Sequence, residues 1–329
     1  MPFKISATSG IAALAVVGLA AVTACSSSSS SSSSSAAAAS TSASASSSSS
    51  GSNPLSGGSG GSGTVVIGSA NFPENEVLAE VYALALQKAG VKVSTKLNIG
   101  AREVYYPQVE KGAIDIIPEY NGTLLTVEAD PKSTAKTTSE VDAALAAKLP
   151  STLTVLNSAQ AQDSDSITVT QATAAKYHLK SIADLKPYAS QMVLGGPPEF
   201  KTRTDGIAGL KATYGLTFKA FDPLDTSGPL TLSALTSGKV QAADVFTTTP
   251  QITTDKLVSL TDPKFNFAAQ NVIPLVYKPA LTSTISSTLN AVSAKLTTAA
   301  LLQLDTEVIT NKQDYTTAAQ NWLQSVGLG

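Results

Sequence analysis

Aromatic side chains recur in this sequence where short apolar runs give way to polar loops. The rings are those of Phe72, Tyr105, Tyr106, Tyr120, Phe200 and Phe246. An aromatic face attracts a quaternary ammonium group, which has no N–H to donate. Arginine side chains and helix N-termini hold carboxylates, so rings and arginines together suit a small zwitterion.

Polar side chains stand in the same loops as the rings. The candidates for ligand contact are Asn71, Arg102, Asn121, Thr123, Glu199, Arg203, Asp244 and Thr247. Several of them have ordinary structural alternatives. Arg102 could form a surface ion pair, Asn71 could cap a helix, Glu199 could pair with Arg203, and Asp244 could make a structural hydrogen bond.

The rings have structural alternatives too. Tyr105 and Tyr106 are neighbours on a predicted helix and point about 100° apart. One of them is therefore expected to pack in the core, and only one can face a ligand. Phe72 precedes a helix that starts at Pro73, where an apolar ring often packs as a hydrophobic staple.

Charge and composition exclude several kinds of site. The chain has 22 Lys plus Arg against 24 Asp plus Glu, with no long run of either sign. Nucleic acid is therefore not an expected partner, because phosphate binding needs clustered basic residues. One cysteine and one histidine, Cys25 and His178, leave too few ligands for a cysteine or histidine metal site and no spare histidine for a triad. We expect no metal and no cofactor.

Alternating strand and helix patterns position these loops. Strands are predicted at 64–69, 91–99, 113–117, 167–170, 192–195, 218–221, 240–245 and 271–277. Helical patterns lie between most of them, and three more helical stretches follow residue 283. This order predicts an α/β fold with mostly parallel sheets. In open α/β sheets ligands bind beyond the carboxyl ends of the strands, which is where the candidate loops lie.

The N-terminal segment differs from the rest of the chain. It carries one charged residue, Lys4, and then a 12-residue apolar stretch, Ile11 to Val22, too short for a membrane span of about 20 residues. A signal peptide over residues 1–24 is predicted. Val-Thr-Ala before Cys25 resembles a bacterial lipobox, the alternative being an ordinary secretory cleavage site. The serine- and glycine-rich residues 25–63 predict a disordered tether.

Four longer segments carry a family resemblance. They are SANFPENEVLAEVYALAL, KLNIGAREVYYPQVEKGAIDIIPEYNGT, DGIAGLKATYGLTFK and ALTSGKVQAADVFTTTPQI. The sequence from residue 64 to 329 resembles the solute-binding lipoproteins of ABC importers for glycine betaine, choline and carnitine, the osmoprotectant type. PEYNGT is the most specific of the matching motifs.

The resemblance implies a type II, two-lobed periplasmic-binding-protein-like fold with two crossover segments. The substrate-binding domain would span 64–329, with one lobe formed by about 64–165 and 272–329 and the other by about 166–271. Lobe closure would capture a small-molecule solute for the cognate permease and ATPase subunits. The protein would be extracytoplasmic, monomeric and held at the membrane by lipid on Cys25.

The resemblance also implies a cage of aromatic rings around the ligand's ammonium group. Tyr120 keeps its ring at one cage position, and Phe246 stands where many relatives have tyrosine. Ser166 and Thr306 align with two further cage tyrosines. Each missing ring would remove about 0.5 to 2 kcal/mol of cation attraction.

Two other classes of function compete with import. An anchored enzyme would need a nucleophile, an acid–base pair or a metal cluster, and motifs such as GxSxG or HExxH are absent from the sequence. We therefore do not expect an enzyme. A surface carrier or adhesin-like protein on the same fold, with an aromatic or polyphenol ligand, is the alternative.

Overall fold

The computed structural model describes residues 63–329. The predicted signal peptide, Cys25 and all but the last residue of the predicted tether lie outside the described residues. None of the helices within 63–329 has both the length and the apolar character to cross a membrane.

Ten strands alternate with helices along the described chain. The strands are β1 (Val65–Gly68), β2 (Val93–Lys96), β3 (Ile116–Tyr120), β4 (Leu153–Val155), β5 (Ile167–Thr170), β6 (Val193–Gly196), β7 (Ala220–Pro223), β8 (Ala242–Asp244), β9 (Leu257–Ser259) and β10 (Val272–Tyr277). Eight of them match the predicted strands. The sequence pattern missed β4 and β9, which are three-residue edge strands.

The α-helices flank the two sheets that these strands form. They are α1 (Pro73–Lys88), α2 (Arg102–Glu110), α3 (Asn121–Thr123), α4 (Thr138–Lys148), α5 (Gln171–Tyr177), α6 (Ile207–Tyr214), α7 (Pro229–Thr236), α8 (Gln251–Thr254), α9 (Ser283–Lys295), α10 (Thr298–Asp305) and α11 (Tyr315–Ser325). Pro73 stands in the first turn of α1 with Glu74 and Glu76, where the helix dipole favours acids.

Shorter helical segments complete the secondary structure. Single 3-10 turns cover Ile182–Leu185, Ala189–Gln191, Pro198–Lys201 and Lys278–Ala280. Two π-helical segments, Leu124–Ala129 and Thr306–Thr310, continue directly from α3 and α10. Such wide turns are rare in proteins, and those that occur often lie at functional sites.

Each lobe is built on a five-stranded sheet. The first sheet has the order β2-β1-β3-β10-β4, and the second has the order β7-β6-β8-β5-β9. Two pairings in each sheet are parallel and two are antiparallel. The prediction of mostly parallel sheets was therefore wrong. The strands that arrive from the other lobe, β10 and β5, enter from the cleft end and so run against their neighbours.

Apolar cores cover both faces of the first sheet. One core packs α1 and the three C-terminal helices against the sheet, with Trp322 at its edge. The other places Tyr105 and Tyr106 of α2 with Leu145 of α4. The second sheet is covered in the same way, with Leu210 of α6 on one face and Leu235 of α7 on the other.

The chain passes between the two sheets twice. The crossover before β5 and the crossover before β10 lie side by side, because the Asp163 N–H donates to the Gln270 carbonyl at 3.1 Å. Gln162 and Asn271 also form an antiparallel bridge. The two lobes are therefore joined by a short two-stranded connection, and the carboxyl ends of both sheets face each other beside it.

Candidate functional site

A cavity lies between the carboxyl ends of the two sheets. Its empty volume is about 470 Å³, which includes the open space at its mouth. Its walls are formed by Ala70, Asn71, Phe72, Ala101, Arg102, Tyr105, Tyr120, Thr123, Asp163, Asp165, Glu199, Arg203, Thr226, Phe246 and Gln270. Both lobes and both crossovers contribute.

Three rings form one end of the cavity. Phe72 lies at the N-cap of α1, Tyr120 ends β3 and Phe246 follows β8. The Phe72 ring centroid is 6.0 Å from that of Tyr120 and 5.2 Å from that of Phe246, the latter edge to face. Phe246 comes from the opposite lobe, so this aromatic end is complete only when the lobes are together.

Buried carboxyl groups stand behind the aromatic end. The Tyr120 hydroxyl donates to Glu74, and the Thr248 hydroxyl donates to the other Glu74 oxygen at 2.6 Å. Burial raises the pKa of Glu74 well above its usual range, and the neighbouring Asp305 raises it further. Burial raises the pKa of Asp305 to about 7. Burial thus favours the neutral forms of both acids at this end of the cavity.

Asp163 brings a third acid to this end. Burial raises the pKa of Asp163 well above its usual range, and the Glu74 charge adds to that rise. Its Oδ1 atom accepts the Thr248 N–H and the Thr247 hydroxyl, each at 3.1 Å. Within residues 63–329 no group of three His, Cys, Asp or Glu side chains has the arrangement of a metal site.

Arg102 and Tyr105 form the opposite wall in the first lobe. Arg102 Nε and Nη2 donate to Glu119 at 2.9 Å and 2.8 Å, and the Tyr105 hydroxyl donates to the same carboxylate at 2.7 Å. Burial opposes the Arg102 charge, but the Glu119 carboxylate outweighs it, so the Arg102 pKa is raised. Arg102 Nη1 makes no hydrogen bond to any of residues 63–329.

Arg203 faces Arg102 from the second lobe. Its Nε and Nη2 atoms donate to the Glu103 carboxylate at 3.0 Å and 3.1 Å, an ion pair that joins the two lobes at the cavity mouth. As with Arg102, its Nη1 atom has no partner in the described part of the chain. Each arginine therefore keeps one terminal nitrogen for a ligand.

The start of α2 adds a site for negative charge. Ala101 and Arg102 line the cavity, and Ala101 caps the helix without a side-chain hydrogen bond. Free N–H groups and the helix dipole favour an anion at such an end. The cavity thus has an aromatic, acidic end and an end with two arginines and a helix N-terminus.

Nine of the fourteen predicted ligand-binding residues line this cavity. They are Asn71, Phe72, Arg102, Tyr105, Tyr120, Thr123, Glu199, Arg203 and Phe246. Both arginines line the cavity and also form ion pairs, but these are not the ion pairs that the sequence suggested as structural alternatives. Arg102 pairs with Glu119 in the interior, and Arg203 pairs with Glu103 instead of Glu199.

The other five predicted residues lie outside the cavity wall. Tyr106 packs in the core between α2 and the first sheet, while its neighbour Tyr105 faces the cavity. Phe200 turns inward from a 3-10 helix onto Phe267, with ring centroids 6.4 Å apart. Asn121 is fully buried and bonds to Asp142 and to the Asn271 N–H.

Thr247 and Asp244 support residues that do reach the cavity. Thr247 accepts the Ser164 N–H at 2.9 Å and donates to Asp163. Asp244 is 1% exposed and lies next to Asp165. Burial and the Asp165 charge raise the Asp244 pKa well above its usual range, whereas burial and the Asp205 charge raise the Asp165 pKa to about 6. The neutral form of Asp244 is therefore favoured beside Asp165.

Ser166 and Thr306 do not line the cavity. Ser166 donates to the Val245 carbonyl at 2.7 Å inside the second lobe, and Thr306 donates to the Leu302 carbonyl at 2.8 Å. The aromatic end gains Phe72 in addition to the two expected rings. The lack of aromatic rings at Ser166 and Thr306 therefore leaves no gap in the wall of this cavity.

Several residues of the cavity wall were not predicted from the sequence. Asp163 and Asp165 lie in the first crossover, and Gln270 lies in the second, where its side chain donates to Thr123 at 2.6 Å. The family resemblance implied the two crossovers only as connections between the lobes and gave them no role in ligand binding. Two acids in the short polar run QDSDS were the available signal, since crossovers border the cleft in a two-lobed protein.

Comparison with known proteins shows which family this sequence matches. The OpuAC family model, the substrate binding domain of ABC-type glycine betaine transport systems, matches residues 63–325. A glycine-betaine-binding protein of Pseudomonas aeruginosa is 26% identical over 230 residues, 65% of this chain and 72% of that protein. The glycine betaine-binding protein YehZ of Escherichia coli is 26% identical over 276 residues, 80% of this chain and 90% of that protein.

Solved structures show the same fold. The crystal structure of a glycine betaine/carnitine/choline ABC transporter superimposes with a TM-score of 0.65 at 24% identity, covering 80% of this chain and 99% of that chain. A choline binding protein in complex with choline superimposes with a TM-score of 0.59 at 14% identity, covering 80% and 88%. These likenesses confirm the predicted two-lobed fold. The chain belongs to the OpuAC family, the substrate-binding domains of ABC-type glycine betaine transport systems.

Proposed function

We propose that this protein is an extracytoplasmic solute-binding lipoprotein of an ABC importer. It captures a small quaternary amine, such as glycine betaine, choline or carnitine, by closure of its lobes. It then delivers the ligand to the cognate permease, which an ATPase subunit drives. The protein acts as a monomer and holds no cofactor.

The two unlike ends of one cavity carry this proposal. The rings of Phe72, Tyr120 and Phe246 at one end suit a methylated ammonium, and each ring adds about 0.5 to 2 kcal/mol of attraction. Arg102, Arg203 and the start of α2 at the other end suit a carboxylate. Both arginines line the same cavity as the rings, as binding of one small zwitterion requires.

The charge balance of the cavity favours a ligand with a positively charged group. Glu119 and Glu103 neutralise the two arginines, which leaves Asp163, Asp165 and Glu199 on the cavity wall without ion-pair partners among residues 63–329. A ligand with a permanent positive charge stabilises such carboxylates. The names of two relatives, glycine-betaine-binding protein and carnitine transport binding protein, agree with this ligand class.

Ligand-dependent thermal stability tests the ligand class. Glycine betaine, choline or carnitine at 100 times its dissociation constant should add about 2.7 kcal/mol of stability. For a domain of this size that corresponds to a melting temperature about 5 °C or more higher. Tyr120→Ala should abolish this increase, whereas Tyr188→Ala, at a stacked ring in the second lobe, should keep it.

Two outcomes would contradict the ligand class. If all three compounds at millimolar concentration leave the melting temperature unchanged, the site does not bind simple quaternary amines. A rise with planar aromatic compounds instead would support the carrier alternative. An unchanged rise in Tyr120→Ala would remove Tyr120 from the site.

Membrane attachment has its own test. Lipid on Cys25 places the protein at the outer face of the membrane, because each buried methylene adds about 0.8 kcal/mol. The Cys25→Ser chain is expected to leave the membrane fraction and to appear in the soluble extracytoplasmic fraction, measured by immunoblotting. Retention of the variant in the membrane fraction would contradict anchoring through Cys25.

A further inference from the structure

We propose that Glu74 is a positioning residue that links the orientation of the Tyr120 ring to closure of the two lobes. The inference rests on the proposed function, in which the Tyr120 ring faces the ammonium group of the ligand. Glu74 does not itself line the cavity, but in this inference it controls the orientation of Tyr120, which does.

One carboxyl group spans the two lobes. Glu74 is the second residue of α1 in the first lobe and is 3% exposed. One of its oxygens accepts the hydroxyl of Tyr120, at the end of β3 in the same lobe. The other accepts the Thr248 hydroxyl at 2.6 Å, from the loop after β8 in the second lobe. The ring and the opposite lobe therefore share a single acceptor.

Thr248 is a fixed point in the second lobe. Its N–H donates to Asp163 Oδ1 at 3.1 Å, and the adjacent Thr247 bonds to Asp163 and to Ser164. Thr248 therefore moves with the second lobe and the crossover. When the lobes separate, Glu74 loses this donor and is free to rotate, and the Tyr120 hydroxyl loses a fixed partner.

No basic side chain replaces these hydrogen bonds. The titratable groups that face Glu74 are Asp305 at the end of α10, Asp163 in the first crossover and Tyr120 itself. No lysine or arginine of residues 63–329 forms a salt bridge with Glu74. The carboxyl group thus depends on the hydroxyl groups of Tyr120 and Thr248 for its orientation.

The arrangement also affects the ring as a cation receptor. A phenol that donates to a carboxyl oxygen has a more electron-rich ring, and cation attraction depends on the negative face of the ring. Phe72 stands two residues before Glu74 and contacts the Tyr120 and Phe246 rings. Fixing Glu74 in the closed state thus fixes the aromatic end of the cavity as a unit.

Lobe separation in the ligand-free protein tests the link directly. Spin labels at Lys88→Cys and Lys211→Cys, exposed positions in different lobes, report the distance by double electron–electron resonance in the full chain with Cys25→Ser. Glu74→Met removes both acceptor oxygens at similar length, and Thr248→Val removes the cross-lobe donor at similar shape. Both substitutions are expected to shift the distances toward longer values. Thr248→Val should add no further shift when combined with Glu74→Met.

Affinity measurements test the ring. Tyr120→Phe keeps the ring and removes its hydroxyl, and it is expected to weaken glycine betaine binding about tenfold in an otherwise unchanged chain. Combined with Glu74→Met it should have no further effect, because the acceptor is already gone. The matched control is Glu80→Met on the same helix, whose carboxylate accepts the Thr316 hydroxyl away from the cleft. It should change neither distance nor affinity.

The outcomes separate this inference from the ligand assignment. Unchanged lobe distances in Glu74→Met, or shifts that simply add in the double variant, would overturn the link. If the unmodified chain binds no glycine betaine, the ligand class proposed above fails. The distances measured without ligand still decide the role of Glu74.

Discussion

Replacing Glu119 by glutamine is expected to lower the free energy of unfolding by about 3 to 5 kcal/mol. Glu119 is fully buried and forms a two-pronged ion pair with Arg102, which is 7% exposed. The substitution leaves the arginine charge in the interior without a counter-ion. Urea unfolding followed by circular dichroism would measure the loss, and Glu103→Gln is the matched control.

The control differs from Glu119 in its burial, and burial determines the expected loss of stability. Glu103 also makes a two-pronged ion pair, with Arg203, but its side chain is 43% exposed. Exposed pairs contribute about 0 to 1 kcal/mol, so Glu103→Gln should cost at most that amount. A loss below about 1 kcal/mol for Glu119→Gln would contradict the buried ion pair.

A double variant separates lost charge pairing from lost packing. Arg102→Met with Glu119→Leu removes both charges, and apolar replacements of buried pairs are often neutral in stability. We expect this variant to regain most of the stability that Glu119→Gln loses. It should still bind ligand weakly, because Arg102 forms part of the cavity wall.

Lowering the pH from 7 to 5 is expected to stabilise the folded protein by about 2 kcal/mol through Asp305 alone. Burial raises the Asp305 pKa from 3.8 to about 7, so the folded chain holds a proton that the unfolded chain releases. Stability from this proton is full below the unfolded pKa and is lost as the pH rises through the folded pKa. Asp165, with a pKa of about 6, adds to the same trend.

Acids with lowered pKa values change the stability of the protein only in a lower pH range. Glu140, Asp184 and Asp314 have lowered pKa values, because backbone N–H groups and, for Asp314 most of all, the Thr317 side chain bond to them. The stability that they contribute is present above their unfolded pKa and disappears only at lower pH. They therefore do not change the trend between pH 5 and 7.

Urea unfolding at several pH values measures this dependence. Asp305→Asn should reduce the slope of stability against pH by about one proton between pH 5 and 7. Asp314→Asn is the control and should leave the slope unchanged, because hydrogen bonds from Thr317 lower the pKa of Asp314 and so keep its titration below this range. Stability that is flat or rises from pH 5 to 7 would show that these carboxyl groups are not buried as described.

The sequence was informative wherever function depends on local pattern. Loops after apolar strands were predicted to meet at one cleft, and Phe72, Tyr120 and Phe246 do meet there. The periodicity of a helix also predicted that only one of Tyr105 and Tyr106 would face the cleft. The carboxyl ends of strands share an edge by geometry, so such loops can be assigned without knowledge of contacts.

Partners distant in sequence could not be predicted in this way. Glu119 belongs to a strand of fully buried residues, and its pairing with Arg102 depends on how α2 packs on the sheet. The role of Glu74 could not be predicted either, because its bond to Thr248 joins residues 174 positions apart. Phe200 had the polar surroundings of a site residue, but a single 3-10 turn directs its ring into the core.

The position of β10 has a consequence for synthesis of the chain. β3 pairs with β10, and Ile116 meets Val276 in that ladder. At about 5 to 20 residues per second, translation takes roughly 10 to 30 s to pass from one partner to the other. Over that time β3 has an apolar, unpaired edge, whereas the second sheet is complete once β9 has emerged. The lobe that begins first along the chain is therefore the last whose sheet can be completed, and until then the open edge of β3 is a site for aggregation.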